Sequence, residues 1–308
     1  MRKINEMFLR TALVAVFITA FGAGFAQAQY SGGWGGGGDI NDCRGGTSSS
    51  YGGNFSIVGL TGDAAQRLIC FGEFNPGSAN TLGTVNGLVG DTRLVGIDFR
   101  PATGNDGSGG VLYGLGNQGG VYTINVQTAQ AILRTRLNVA LSGTSFGIDF
   151  NPVVDRLRIV SDNGQNLRAN VDTGATLVDG TLNYTLGVAA TGITGAAYTN
   201  NDADPNTATS LYTIDSSLDQ VNIQAPPNAG TQNQTGKLTV DTTPNVGFDI
   251  YSTIRNNSTV NVEGFASLTV GGTARFYSIA LFSGKATSRG SFSSQNQVAD
   301  IAIPLNQR

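Results

Sequence analysis

The chain has 308 residues, of which 44 are glycine and none is histidine. Glycine stands at roughly twice its usual share, and the missing imidazole removes Ser-His-Asp and Cys-His nucleophile pairs, histidine bases and histidine metal sites together. With 13% charged and 40% hydrophobic residues and a formal charge of -3, the chain is too apolar to be disordered, too glycine-rich for a helical bundle, and lacks the basic excess that nucleic acid requires.

Residues 1–28 read as a signal peptide. Arg2, Lys3 and Arg10 form a positive start, residues 11–25 an apolar stretch, and Ala26-Gln27-Ala28 the small-x-small pattern cut after Ala28. The apolar stretch is short for a membrane span, no later run approaches 18 apolar residues, and no cysteine sits just after the cut. The expectation is therefore a secreted or periplasmic protein with no membrane contact after cleavage. Without Arg2, Lys3, Arg10 and Glu6 the mature chain carries 15 basic and 20 acidic residues.

Residues 29–54 are rich in glycine, serine and asparagine with isolated Trp34 and Tyr51, a composition that cannot offset its ordering entropy and reads as a flexible leader. Cys43 in this leader and Cys70 beyond it are the two cysteines. An oxidising exterior permits a bridge between them; the alternative is a buried Cys70 in an apolar strand and a free Cys43.

Residues 55–308 read as one domain built on a repeat. Gly96-Ile97-Asp98-Phe99, Gly147-Ile148-Asp149-Phe150, Gly195-Ala196-Ala197-Tyr198 and Gly247-Phe248-Asp249-Ile250 recur at spacings of 51, 48 and 52. Each is followed by three further strand-like runs between Gly, Asn, Asp and Thr turns: residues 111–115, 121–125 and 131–137; 157–161, 166–171 and 175–178; 211–215, 220–224 and 234–240; 264–270, 275–281 and 287–292. Four strands at this period make one blade of a β-propeller. Ahead of Gly96 there are only three runs, at residues 55–60, 67–74 and 81–88, while residues 298–304 form a spare strand. The spare strand is expected to complete the first blade and close the ring, which gives an all-β, five-bladed propeller.

Several runs carry a resemblance. Leu94-Val95-Gly96-Ile97-Asp98-Phe99-Arg100-Pro101, the stretch from Phe146 through Asn151-Pro152-Val153-Val154-Asp155-Arg156-Leu157-Arg158, Gln165-Asn166-Leu167-Arg168, Ala197-Tyr198-Thr199-Asn200 and Gln224-Ala225-Pro226-Pro227-Asn228-Ala229-Gly230 resemble the signature runs of a bacterial family, domain of unknown function 4394. The resemblance spans residues 56–304 and implies a secreted bacterial protein. The family has no assigned activity, so no catalytic residue carries over.

The recurrent acids Asp98, Asp149 and Asp249 sit on the strands expected to face the propeller axis, where they either form a partial ring for a cation or polar ligand, or accept hydrogen bonds at blade interfaces. The third repeat breaks the pattern with Ala197, and Asp300 joins only with a shifted alignment. A polar stretch supplies Asn151, Asp155, Arg156, Arg158 and Arg168; its arginines either lock neighbouring blades or recognise carboxylate or sugar groups. Asp202, Asp204 and Asn206 have the rhythm of a calcium loop, but Thr207 and Thr213 stand where an EF-hand has Gly and Glu; Asn105-Asp106-Gly107 is a comparable weak candidate. Calcium apart, no cofactor is expected. Gly114-Leu115-Gly116-Asn117-Gln118-Gly119 leads into a strand and reads as a hairpin turn, since a dinucleotide site needs a helix there.

The function expected from these features is that of a non-enzymatic exported propeller binding a small polar molecule, glycan or protein, or serving at the cell surface. The alternative is a carboxylate-dependent hydrolase or lyase acting on a polar extracellular substrate.

Overall fold

The computed structural model describes residue 43 and residues 55–104, 109–184, 187–200, 202–204, 207–256 and 258–307. The expected signal peptide and the leader apart from Cys43 lie outside them, as do Asn105, Asp106, Gly107 and Asn206.

Five sheets follow one another along the chain, each built on four antiparallel strands. The second blade is β4 (Leu94–Arg100), β5 (Val111–Gly116), β6 (Gly120–Ile124) and β7 (Ala131–Arg136). The third is β8 (Phe146–Asn151), β9 (Arg156–Ser161), β10 (Asn166–Ala169) and β11 (Thr176–Val178). The fourth contains β14 (Ile193–Tyr198), β15 (Leu211–Asp215), β16 (Gln220–Gln224) and β17 (Thr231–Lys237); the fifth β18 (Val246–Arg255), β19 (Ser258–Val270), β20 (Thr273–Ile279) and β21 (Ala286–Ser291). In the first blade β22 (Val298–Ala302) lies innermost, beside β1 (Ser56–Thr61), β2 (Arg67–Gly72) and β3 (Asn75–Thr84). The C-terminal strand thus completes the first blade, and the five innermost strands, β22, β4, β8, β14 and β18, contact one another in a closed cycle. This is the expected five-bladed β-propeller.

The second strands are buried along nearly their whole length, as in β2 and β9, because each blade is sandwiched between two others; the outer β7 alternates buried and exposed positions. Glycine recurs on the innermost strands because the strands crowd together there. A Cβ at Gly147 would stand 2.5 Å from the Ala196 nitrogen and one at Gly247 2.5 Å from Asp300 Cα. β8 and β18, two blades apart, also touch across the axis.

Two outer strands differ from their expected limits. β3 begins at Asn75 because the chain reverses directly after Gly72, which pairs with Asn75. β17 begins at Thr231 because Gly230, at φ 73°, completes the turn there. A short hairpin that the repeat did not suggest, β12 (Asn183–Tyr184) and β13 (Val188–Ala189), lies parallel against β17 and covers the fourth blade's outer edge. Cys43 and Cys70 are joined in a disulfide, and Cys43 is buried against the first blade.

Five apolar clusters fill the five seams between blades. The seam between the fifth and first is aromatic, with Phe55, Phe71, Tyr251, Phe265, Phe276 and Phe292. The seam between third and fourth holds a smaller apolar set, including Val160, Ile193 and Leu211.

Candidate functional site

Three places gather polar side chains: the axis, the seams, and one open notch. At the axis, Asp98, Asp149 and Asp249 are buried, with one oxygen of each within 4.8 Å of the others. Each ties its own blade to the next. Asp98 accepts the backbone N–H of Phe99 and, from the third blade, of Phe150, both at 2.7 Å. Asp149 accepts from Tyr198 of the fourth blade, and Asp249 from Ile250 and, beyond β22, Ile303, both at 2.6 Å. Asp300 ties the first blade to the second by accepting from Ile97 at 2.8 Å, and Ala197 leaves the fourth without such a tie.

Register places Asp300 unexpectedly. The central Asp faces Tyr113, Arg158 or Phe265 on its second strand, and the residue in that relation to Val58 is Ala302. Ala302 therefore occupies the Asp position and Asp300 the glycine position of the repeat, two residues earlier on the same face. Burial raises Asp98, Asp149 and Asp300 well above the ordinary carboxylate range, helped by their mutual repulsion. Burial likewise raises Asp249, to about 7. Proton retention relieves the charge of this buried group.

The polar stretch of the third blade lies in the seams. Arg158, 1% exposed, donates to Asn166 and Asp179 at 2.7 Å, to Asn228 at 2.9 Å and to the Tyr198 hydroxyl at 3.2 Å. Arg168 adds a two-pronged pair to Asp179 at 2.6 and 2.9 Å. Asn228 belongs to the proline-rich turn between β16 and β17, whose Pro227 carbonyl accepts from Asn166 and Gln224. Arg100 of the second blade reaches the third, pairing with Asp155 at 2.8 and 2.5 Å and with Asp172 at 2.9 and 2.8 Å, and donating to Tyr113 at 3.1 Å. Arg156 donates to the carbonyls of Val154 and Asp155, and Asn151 caps its own turn by accepting from Val153 and Val154. Arg100, Asp172, Tyr198, Asp179 and Asn228 were not singled out as site residues from sequence, since their partners lie 11 to 72 residues away.

The Arg100 clamp defines a position that recurs at every seam. Two residues beyond the central Asp position come Arg100, Asn151, Thr199, Tyr251 and Pro304 in successive blades. Between the second and third blades Arg100 fills the notch, and between the third and fourth Arg158 does. Between the fifth and first, Tyr251 packs on Phe55 with ring centres 4.6 Å apart and its hydroxyl accepts from Gln307. Between the first and second, Leu305 presses against Gly104 and Gly110.

Between the fourth and fifth blades the same notch is open. Thr199 stands where the second blade has Arg100, and Phe282 where the third has Asp172. The two turns correspond: Ala280 and Gly284 bond as Asn170 and Gly174 do. What remains is a cleft of about 590 Å³ bordered by Thr199, Asn200, Ser210, Tyr212, Thr259 and Phe282 among others, none of its lining residues being charged. Tyr212, the counterpart of Tyr113, is 5% exposed; burial raises its phenol, and its hydroxyl has no hydrogen-bond partner among the described residues. Asn200, at φ 68°, accepts from Thr259 and donates its backbone N–H to Ser252. Its side-chain NH₂ has no partner among the described residues. Phe282 is 86% exposed. Sequence reasoning missed this cleft, because it is made by the absence of an arginine whose presence elsewhere only the structure shows to matter.

Asp202 and Asp204 lie in the loop beside the cleft, where Asp202 accepts the backbone N–H of Asp204 at 3.1 Å. Gly114–Gly119 is the hairpin joining β5 to β6.

Fold and axis together define a closed five-bladed β-propeller. Within that class, residues 67–302 match the family described as Domain of unknown function (DUF4394), and the chain belongs to that family. No curated protein matches the sequence. Among solved structures it is similar to a protein of unknown function from Bacteroides thetaiotaomicron (10% identity, 59% of this chain and 44% of that one, TM-score 0.45). An auxiliary nutrient binding protein from the same organism matches at 15% identity over 56% and 44% of the two chains, TM-score 0.35. Saccharomyces cerevisiae Sqt1 matches at 14% over 77% and 59%, TM-score 0.36. The match thus spans less than half the length of the two Bacteroides proteins.

Proposed function

We propose that the protein is an exported, non-enzymatic binding module that takes a small, neutral, polar ligand in the notch between its fourth and fifth blades. The carrying observation is that this notch alone among the five described is unfilled, while its Tyr212 hydroxyl and the Asn200 NH₂ lack partners among the described residues. A cleft of about 590 Å³ lies within the range of small-molecule sites, which combine apolar walls with a few fixed polar groups. The absence of charge in its lining favours a neutral ligand, since a charged one would surrender its hydration for no opposite charge. The hydrolase reading has less support: the carboxylates that converge, Asp98, Asp149 and Asp249, are buried and bonded to backbone N–H groups. Export follows from the reading of residues 1–28.

The test transplants the clamp. Thr199→Arg with Phe282→Asp copies the Arg100–Asp172 pair into the notch. In the mature wild type, amide resonances of Ser210 and Thr259 are expected to shift on titration with a panel of maltotriose, sorbitol and a blocked Ser-Asn-Ser peptide. The double variant should keep its thermal transition and lose those shifts. Shifts confined to other loops of the wild type, or none with any probe, would overturn the reading whether or not the variant folds.

A further inference from the structure

We infer that the ligand of this notch is a neutral, pyranose-bearing glycan for which Phe282 is the stacking platform; the inference rests on the notch reading above. Phe282 occupies the tip of the β20–β21 turn, where the matching turn of the third blade carries Asp172, and at 86% exposure it contributes nothing to the core. A large ring held in water at the mouth of a cleft offers a flat apolar face, which suits the C–H face of a sugar ring.

The opposite wall supplies what the sugar's rim requires. Each hydroxyl of a pyranose both donates and accepts, and it is met here by the Asn200 NH₂, which donates, by the hydroxyls of Tyr212 and Ser210, which do either, and by that of Thr259, which accepts while donating to Asn200. The neutral lining excludes the ion pairing that a uronic acid or a sugar phosphate would call for.

Peptides bind extended strands by adding to a free sheet edge. β15 and β20 are each paired on both sides where they border the cleft, and the β19 stretch beside it, residues 259–263, pairs with β18 alone. A peptide competing for that edge is therefore tested directly by the blocked Ser-Asn-Ser probe.

The experiment titrates the mature protein with maltotriose, cellotriose and chitotriose, with sorbitol as an acyclic polyol, with trigalacturonate as a charged trimer, and with the blocked Ser-Asn-Ser peptide, following the Ser210 and Thr259 amides. At least one neutral trisaccharide should bind, and sorbitol and trigalacturonate should bind about tenfold or more weakly than it. Phe282→Ala should weaken the trisaccharide about tenfold, the scale of one aromatic contact, and Phe282→Trp should retain it. Sorbitol or the peptide binding as tightly as every trisaccharide, or full affinity in Phe282→Ala, would overturn the glycan assignment and leave the notch as a site. Silence from all the probes would overturn both. Because Phe282 is exposed, neither variant puts the fold at risk.

Discussion

The seam between the third and fourth blades and the seam between the fifth and first join equivalent surfaces by opposite means. The first is centred on Arg158, whose guanidinium is spent on Asn166, Asp179, Asn228 and Tyr198. The second stacks Phe265 on Phe276 at 5.6 Å and sets Phe71 edge-on to Phe276 and Phe292. The polar seam joins consecutive blades and is directional, so it has one solution. The aromatic seam joins the beginning of the propeller to its end, and its apolar attraction is non-directional and tolerant of small adjustment. One seam fixes the relative setting of two blades; the other supplies cohesion where the ring must close.

The largest effect should come from removing the closure. Deleting residues 298–308 strips β22 from the first blade together with the Asp300 bond to Ile97 and the Gln307 bonds to Tyr251 and Ser56, and it should abolish cooperative unfolding. An unchanged thermal transition would break the closure account. Next, Arg158→Leu removes the buried guanidinium from Asn166, Asn228 and Asp179, leaving Arg168 as Asp179's ion-pair partner, and should cost about 3 kcal/mol, whereas Phe276→Leu should cost about 1–2 kcal/mol, less than a truncation to alanine. Denaturant unfolding of both variants measures the difference, and equal losses would erase the distinction between the seams.

Acidity should then separate the axis from the seams. The axial carboxylates hold protons in the fold that they release when unfolded, so their contribution is complete below the ordinary carboxylate value of 3.8 and declines as pH rises towards about 7, where Asp249 titrates. For Asp249 alone the shift corresponds to on the order of 4 kcal/mol. Asp172, held low by its bonds from Arg100, acts the other way. So does Asp179, which burial alone would raise but which Arg168 and Arg158 hold low. The contribution of both is lost as pH falls below about 3.8. Stability should peak at about pH 4–5 and fall towards pH 8, and Asp149→Asn should flatten the alkaline limb; a maximum at pH 8 would refute the axial account. The smallest effect is expected at Arg168→Leu. This side chain is 26% exposed and shares Asp179 with Arg158, so its loss should cost about 1 kcal/mol. A loss matching that of Arg158→Leu would spread the polar seam's strength over both arginines.

Much of the architecture was legible because it is periodic. The recurring Gly-x-Asp-x strand marked the axis, and the vacancy before Gly96 matched the spare strand at residues 298–304. The candidate residues were legible as residues but not as partners. Arg158 and Arg168 read as either a lock or a recognition surface, and only the fold brings Asn228 to Arg158 across 70 residues. Asp300 was harder, since it aligns with the Asp position only after a one-residue shift, while its pairing with Leu60 places it at the glycine position. The β12–β13 hairpin was illegible because two-residue strands carry no period. The cleft was illegible for a different reason: Thr199 and Phe282 are unremarkable until Arg100 and Asp172 show what the same two positions do elsewhere in the ring.

The location of β22 sets the order in which the protein is assembled. Four blades consist of strands that lie together in sequence, so each can form soon after it is synthesised. The first blade cannot, because its innermost strand arrives some 240 residues after its neighbour β1. A nascent chain therefore carries β1 with an unpaired inner edge for nearly the whole of synthesis, and the ring closes in a single late step that depends on a contact of very high sequence separation. Folding should accordingly be slow for a domain of this size, and the free edge of β1 is the place where a passing strand, from this chain or another, would do most harm.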